Sequence, residues 1–165
     1  MKSQIKLLLI IATFALIQSY AKAQDLNGTA IRNTCIELIP ELNLQNKILF
    51  INIWQSSDLE SRDNNKEFQR VSNIYTQAKL KNGLSGVAFI NLSVDTELFN
   101  WIVSTKKDSI SSKFSLENTN GKYEPIANYF NGKPGNIVIG NDGTVISKNI
   151  KKEDCFFLFR SLITR

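Results

Sequence analysis

The sequence predicts an α/β fold: a mixed central sheet, made of a βαβ unit plus a C-terminal β-hairpin, flanked by helices. Three observations predict it. Ile48 to Ile53 is an almost unbroken apolar run, largely β-branched or aromatic, with Asn52 as the exception. Such a run suits a central strand covered on both faces. Gly86 to Leu92 is a second apolar run, and between the two Phe68, Val71, Ile74, Tyr75 and Ala78 recur at the three- and four-residue steps of one helix face. Near the end, Asn136 to Ile139 and Thr144 to Lys148 flank the turn Asn141-Asp142-Gly143, and Asp-Gly is a strong hairpin signal.

The elements follow in order. Lys2 and Lys6, the apolar run Leu7 to Ile17 and the small-residue site Ala21-Lys22-Ala23 read as a secretory signal over residues 1–23. The run is short of the ~20 residues that a membrane span needs. No membrane span is expected after signal cleavage, and the location implied is periplasmic or secreted. Residues 24–45 form a supporting arm: Cys35, Leu38, Ile39 and Leu42 have helical spacing, but Pro40 interrupts it, so an extended arm or a hairpin fits as well. Residues 46–165 form the domain itself.

Ser56, Ser57 and Asp58 offer helix caps directly after the first strand, and Asp58 and Glu60 suit the positive end of a helix dipole. Asn82-Gly83 is a helix stop. Strand, helix, strand makes a right-handed βαβ unit with parallel strands. Asp95 caps a helix bearing Leu98, Trp101 and Ile102, and Ser109 to Gly121 reads as a polar loop pinned by Phe114 and Leu116. Pro125 fits the first turn of a short helix through Tyr129. Residues Asn131 to Gly135 turn into the hairpin, and a last helix from about Lys152 to Leu162 puts Cys155, Phe159 and Leu162 on one face.

Charge and composition narrow the chemistry. The formal charge is +5, but Lys2, Lys6 and Lys22 leave with the signal; seventeen basic residues against fifteen acidic ones leave +2. The lysines are scattered or paired, not gathered into the stripe that nucleic acid needs, so no nucleic-acid partner is expected. With no histidine in the chain, serine–histidine and cysteine–histidine catalysis and the usual zinc sites are excluded. No cofactor and no metal is expected.

The order of elements, with a Pro-led entry into the hairpin, resembles the thioredoxin-like superfamily. The residues resemble its TlpA/ResA-type branch of secreted thiol-disulfide oxidoreductases. In that branch a strand reading roughly Asn-Phe-Trp-Ala-Ser-Trp leads into Cys-x-x-Cys-Arg. Here Asn52-Ile53-Trp54-Gln55-Ser56-Ser57 leads into Asp58-Leu59-Glu60-Ser61-Arg62, and Gly132-Lys133-Pro134 leads into the hairpin. The resemblance covers about Asn46 to Leu162 and implies a cis bond before Pro134, beside the start of the first helix.

Asp58 and Ser61 stand where that resemblance places two cysteines. Disulfide exchange needs a thiolate, and neither a carboxylate nor a hydroxyl supplies one. The expectation is a non-catalytic module that holds a protein or an extended peptide of the cell envelope. Its groove would comprise Trp54, Ser57, Asp58, Ser61, Lys133 and Pro134, with Lys133 set against Asp58 or left as an exposed turn residue. No catalytic residue is assigned there. Cys35 and Cys155 leave three readings open. They are buried inert thiols, a disulfide closing a loop of about 120 residues and worth about 4–5 kcal/mol, or the redox groups of a thioredoxin-like enzyme.

Overall fold

The computed structural model describes residues 28–111 and 114–163, and the predicted signal segment lies outside them. Five strands form one mixed sheet in the order β3-β2-β1-β4-β5. They are β1 (Ile48–Trp54), β2 (Val87–Ser93), β3 (Ser115–Leu116), β4 (Gly135–Ile139) and β5 (Val145–Lys148). β1 lies at the centre, parallel to β2 and antiparallel to β4; β2 and β3 are parallel, and β4 and β5 form the expected hairpin. The helices are α1 (28–38), α2 (Leu59–Tyr75), α3 (Leu98–Lys107), α4 (Glu124–Asn128) and α5 (Lys152–Ser161).

All seven residues of β1 are buried, as its apolar run requires. The two-residue period of the strand sorts them onto two cores. Leu49, Ile51 and Ile53 pack with α1 and α4, against Ile31, Cys35, Ile39 and Ile126. Ile48 and Phe50 pack on the other face with α2 and α5, against Phe68, Val71, Tyr75, Cys155 and Phe159. Phe50 meets Phe68 and Phe159 edge-to-face, with ring centroids 4.9 and 6.0 Å apart, the geometry that the aromatic quadrupole favours.

The structure corrects several expectations. The arm is a helix: α1 ends before Pro40, which opens a short 3₁₀ turn, Pro40–Leu42, so the proline ends the helix and does not break its middle. α1 meets the hairpin closely. A Cβ on Gly28 would lie 2.2 Å from the Gly143 carbonyl oxygen, and one on Gly143 2.2 Å from Thr29 Oγ1. α2 ends at Tyr75, and Asn82-Gly83 belongs to a separate 3₁₀ turn in which Asn82 has φ 59°. Ile74 is exposed, not part of the packed face. The polar loop after α3 contains β3, which Trp101 holds from α3 by donating from Nε1 to Ser115 Oγ at 3.1 Å. Asp95 does not cap α3: the N-cap is Glu97, without a side-chain bond.

The bond before Pro134 is trans, because the described residues contain no cis peptide. The reversal into β4 is made instead by Asn131 and Gly132, both in the left-handed region at φ 55° and 63°. Two such residues turn the chain without a cis bond.

Candidate functional site

A groove of about 700 Å³ opens where β1 hands over to α2. Its walls come from three places: Asp58 and Ser61 at the start of α2, Pro134 and Asn136 at the entry to β4, and Lys151 and Lys152 at the start of α5. These elements converge because β1 and β4 are hydrogen-bonded neighbours in the sheet and because α2 and α5 pack side by side on one of its faces.

The helix start is closed by its own side chains. Asp58 is the N-cap of α2, and its Oδ1 accepts from Ser61 N at 2.7 Å. That bond satisfies one of the amides a helix start leaves open and is worth about 1 kcal/mol. Ser61 is buried. Its hydroxyl accepts from Gln55 N at 3.3 Å and lies 3.1 Å from the Asp58 carbonyl and 3.3 Å from that of Gln55. The hydroxyl therefore ties the corner together from the position that the resemblance gives to a second cysteine.

Asp95 holds the same corner from the far side. Buried at the end of β2, its carboxylate accepts from Ser56 N at 3.0 and 3.2 Å, from Ser56 Oγ at 2.6 Å and from Ser93 Oγ at 2.7 Å. Next to it, Arg62 donates in bidentate fashion to Asp108, 2.7 Å from Nε and 2.9 Å from Nη2, tying α2 to the end of α3. A bidentate pair this poorly exposed holds direction as well as charge.

Asn52 and Asn136, which line the groove, belong to a row of amides that runs into the core. Asn52 and Asn91 face each other across β1 and β2, and Asn136 faces Asn52 from β4. Asn52 Nδ2 donates to Asn65 Oδ1 on α2 at 2.9 Å and to Asn91 Oδ1 at 2.7 Å. The sequence reading passed over this cluster. Its signal was the repeated Phe-Ile-Asn, Phe50-Ile51-Asn52 and Phe89-Ile90-Asn91, which pairs in register. An amide at one register position of two apolar strands makes a cross-strand pair.

Of the six predicted groove residues, Asp58, Ser61 and Pro134 line the groove together. Trp54 does not. It is fully buried, and its Nε1 has no partner. Ser57 and Lys133 are exposed and outside the lining, and among the described residues no ion pair joins Lys133 to Asp58.

The two cysteines are not a pair. Both are free and fully buried, Cys35 in the core under α1 and Cys155 in the core under α5, so the sheet stands between them. The disulfide reading is overturned by that placement. Burial pushes the Cys35 thiol up to about 12 even though Arg32 pulls it down, and burial, helped by Glu67, pushes Cys155 to about 12. A thiol that is protonated and inaccessible is a poor nucleophile.

No protein-family model matches the chain, and no curated protein matches it in sequence. Solved structures do match it in shape. A thioredoxin-like protein from Parabacteroides distasonis is 19% identical, with a TM-score of 0.55 over 69% of this chain and 80% of that one. The thioredoxin domain of a thiol-disulfide oxidoreductase from Bacteroides vulgatus is 12% identical, with a TM-score of 0.59 over 74% and 83%. A secreted disulfide oxidoreductase of Mycobacterium tuberculosis is 15% identical, with a TM-score of 0.53 over 73% and 85%.

Proposed function

We propose that this chain, whose fold is the thioredoxin-like fold of thiol-disulfide oxidoreductases, is an exported, redox-inactive member of the TlpA/ResA-type branch that holds an extended peptide or protein segment. The observation that carries the proposal is the groove at the start of α2, open and polar, lined by Asp58 and Ser61, the two positions that the resemblance gives to cysteines. A fold hosts many chemistries, so the residues at the site decide the reading. The neighbour from Mycobacterium tuberculosis is described as secreted, which accords with an exported chain. Among the described residues no helix is long and apolar enough to cross a membrane.

Two measurements test the proposal. An insulin-reduction assay is expected to give no activity above the buffer rate. The purified protein is expected to capture extended peptides or an envelope protein through the groove, with the variants Asp58→Arg and, at the exposed wall residue Lys151, Lys151→Glu losing capture while still folded. Reduction of insulin by the protein, or capture that ignores both substitutions, would overturn it.

A further inference from the structure

Among the described residues, Arg32 is a buried charge without a counter-ion at hydrogen-bond distance. It lies on α1 and is 7% exposed. Its Nη2 donates to the Leu44 carbonyl, and its other terminal nitrogen, Nη1, has no hydrogen-bond partner. The ion pairs are Arg62–Asp108, Arg70–Glu67 and Lys152–Asp63, and none involves Arg32. Asp142 attracts Arg32 through space, but that carboxylate is committed to its own turn, where it accepts from Thr144 N at 3.0 Å. Burial outweighs the pull of Cys35 and Asp142 together and holds Arg32 below its ordinary pKa. Buried charges are ordinarily paired, because leaving water costs them their hydration.

Arg32 also lines a pocket. The pocket holds about 330 Å³ where α1 gives way to the 3₁₀ turn, and the apolar residues Ile36, Ile39, Pro40 and Leu44 wall it. No acid is among its lining residues, and it shares none of them with the groove at the start of α2. Its size is at the small end of the roughly 300–1,000 Å³ range of small-molecule sites, which pair apolar walls with a few placed polar groups. Here the polar group is a cation that lacks an anion.

We infer that this pocket binds a small aliphatic carboxylate, with its chain against Ile36, Ile39, Pro40 and Leu44 and its head on the Arg32 guanidinium. A guanidinium offers five N–H donors in a fixed fork, and a carboxylate accepts two of them in parallel. The Leu44 carbonyl takes a donor of Nη2 and leaves those of Nη1 open. Nη1 itself is buried, so the carboxylate meets it by drawing the guanidinium toward the pocket. Two sources carry this chemistry: a free acid, or the C-terminal carboxylate of a chain that ends in an apolar residue. The site is separate from the peptide groove, and the two readings stand or fall independently.

The test titrates the full folded chain calorimetrically with hexanoate, hexanamide and hexylamine, which share a chain length and differ in the head group. The guanidinium resonances of Arg32 are followed in parallel. Hexanoate is expected to bind on the order of tenfold more tightly than hexanamide, and it alone should move the Arg32 signals. Ile36 is 46% exposed and lies four residues after Arg32 on α1, so Ile36→Glu sets a carboxylate of the chain's own beside the guanidinium. That variant is expected to lose hexanoate binding, and Ile36→Gln, which removes the same apolar wall without adding charge, should weaken it far less. A tripeptide ending in leucine, with a free or an amidated C-terminus, separates the sources. Tighter binding of its free-acid form than of hexanoate assigns the site to a chain end, and weaker binding assigns it to a free acid. Equal binding of hexanoate and hexanamide, a preference for hexylamine, or binding of none would overturn the inference. So would hexanoate binding that leaves the Arg32 signals unmoved or that is undiminished in Ile36→Glu. Should Ile36→Glu fail to fold, the Arg32 signals of the unaltered chain decide.

Discussion

The two cysteines give the sharpest prediction, because their behaviour separates a retired redox scaffold from a working one. Each thiol is raised from 9.0 to about 12, chiefly by burial. At pH 8 a thiol with that value is ionised on the order of once in 10,000, against roughly one in ten at 9.0, so native labelling should be about 1,000-fold slower than in the unfolded chain. The same gap governs alkaline stability. The folded chain holds the thiol proton more tightly than the unfolded one, so the contribution is complete below about pH 9 and is lost as pH rises toward 12. At 1.36 kcal/mol per pH unit, each thiol accounts for about 4 kcal/mol across that window. The assay is a urea melt at steps from pH 7 to pH 11, with a thiol-reactive chromophore added to the native protein at pH 8. Stability should be flat from the thiols below pH 9 and fall above it, and Cys35→Ala and Cys155→Ala should each remove about half of that fall. Native labelling at pH 8 as fast as in urea, or an alkaline slope unchanged in both variants, would refute the reasoning.

Three further predictions follow from the same geometry. Asp95→Ala leaves Ser56 N and Ser93 Oγ without their acceptor and should cost about 3 kcal/mol in a urea melt; a loss under 0.5 kcal/mol would mean that the corner holds itself. Asp58→Ala removes the bond to Ser61 N and should cost about 1 kcal/mol, with Asp58→Asn recovering most of it. Phe159→Ala empties a fully buried ring site against Phe50, Tyr75 and Phe89 and should cost about 3–5 kcal/mol by thermal or urea unfolding.

Much of the fold was legible in the sequence because local signals and global layout agree there. The run Ile48 to Ile53, short and rich in β-branched residues, suits a strand covered on both faces, and Asp142-Gly143 marked the hairpin without help from distant residues. What was not legible depends on partners far along the chain. Asp95 precedes a helix and so looks like a cap, yet its carboxylate reaches back to Ser56, thirty-nine positions earlier. β3 is two residues long and exists because β2 offers it a parallel edge; no period can be read from two residues. Trp54 was placed in the groove by the resemblance, but it is fully buried at the end of β1. The start of α2, by contrast, was legible to within three residues: of the candidate caps Ser56, Ser57 and Asp58 it is Asp58 that bonds a backbone amide three residues ahead.

The Gly28–Gly143 approach has a practical consequence for anyone handling this protein. The two glycines let the N-terminal helix and the hairpin tip meet closely there, with the Thr29 and Val145 side chains packed beside them. Trimming by a protease past Gly28, or joining a reporter directly onto that residue, would pry the helix from the tip and uncover Ile31, Cys35 and Ile39 together. A purification handle belongs either well ahead of Gly28 or at the opposite terminus.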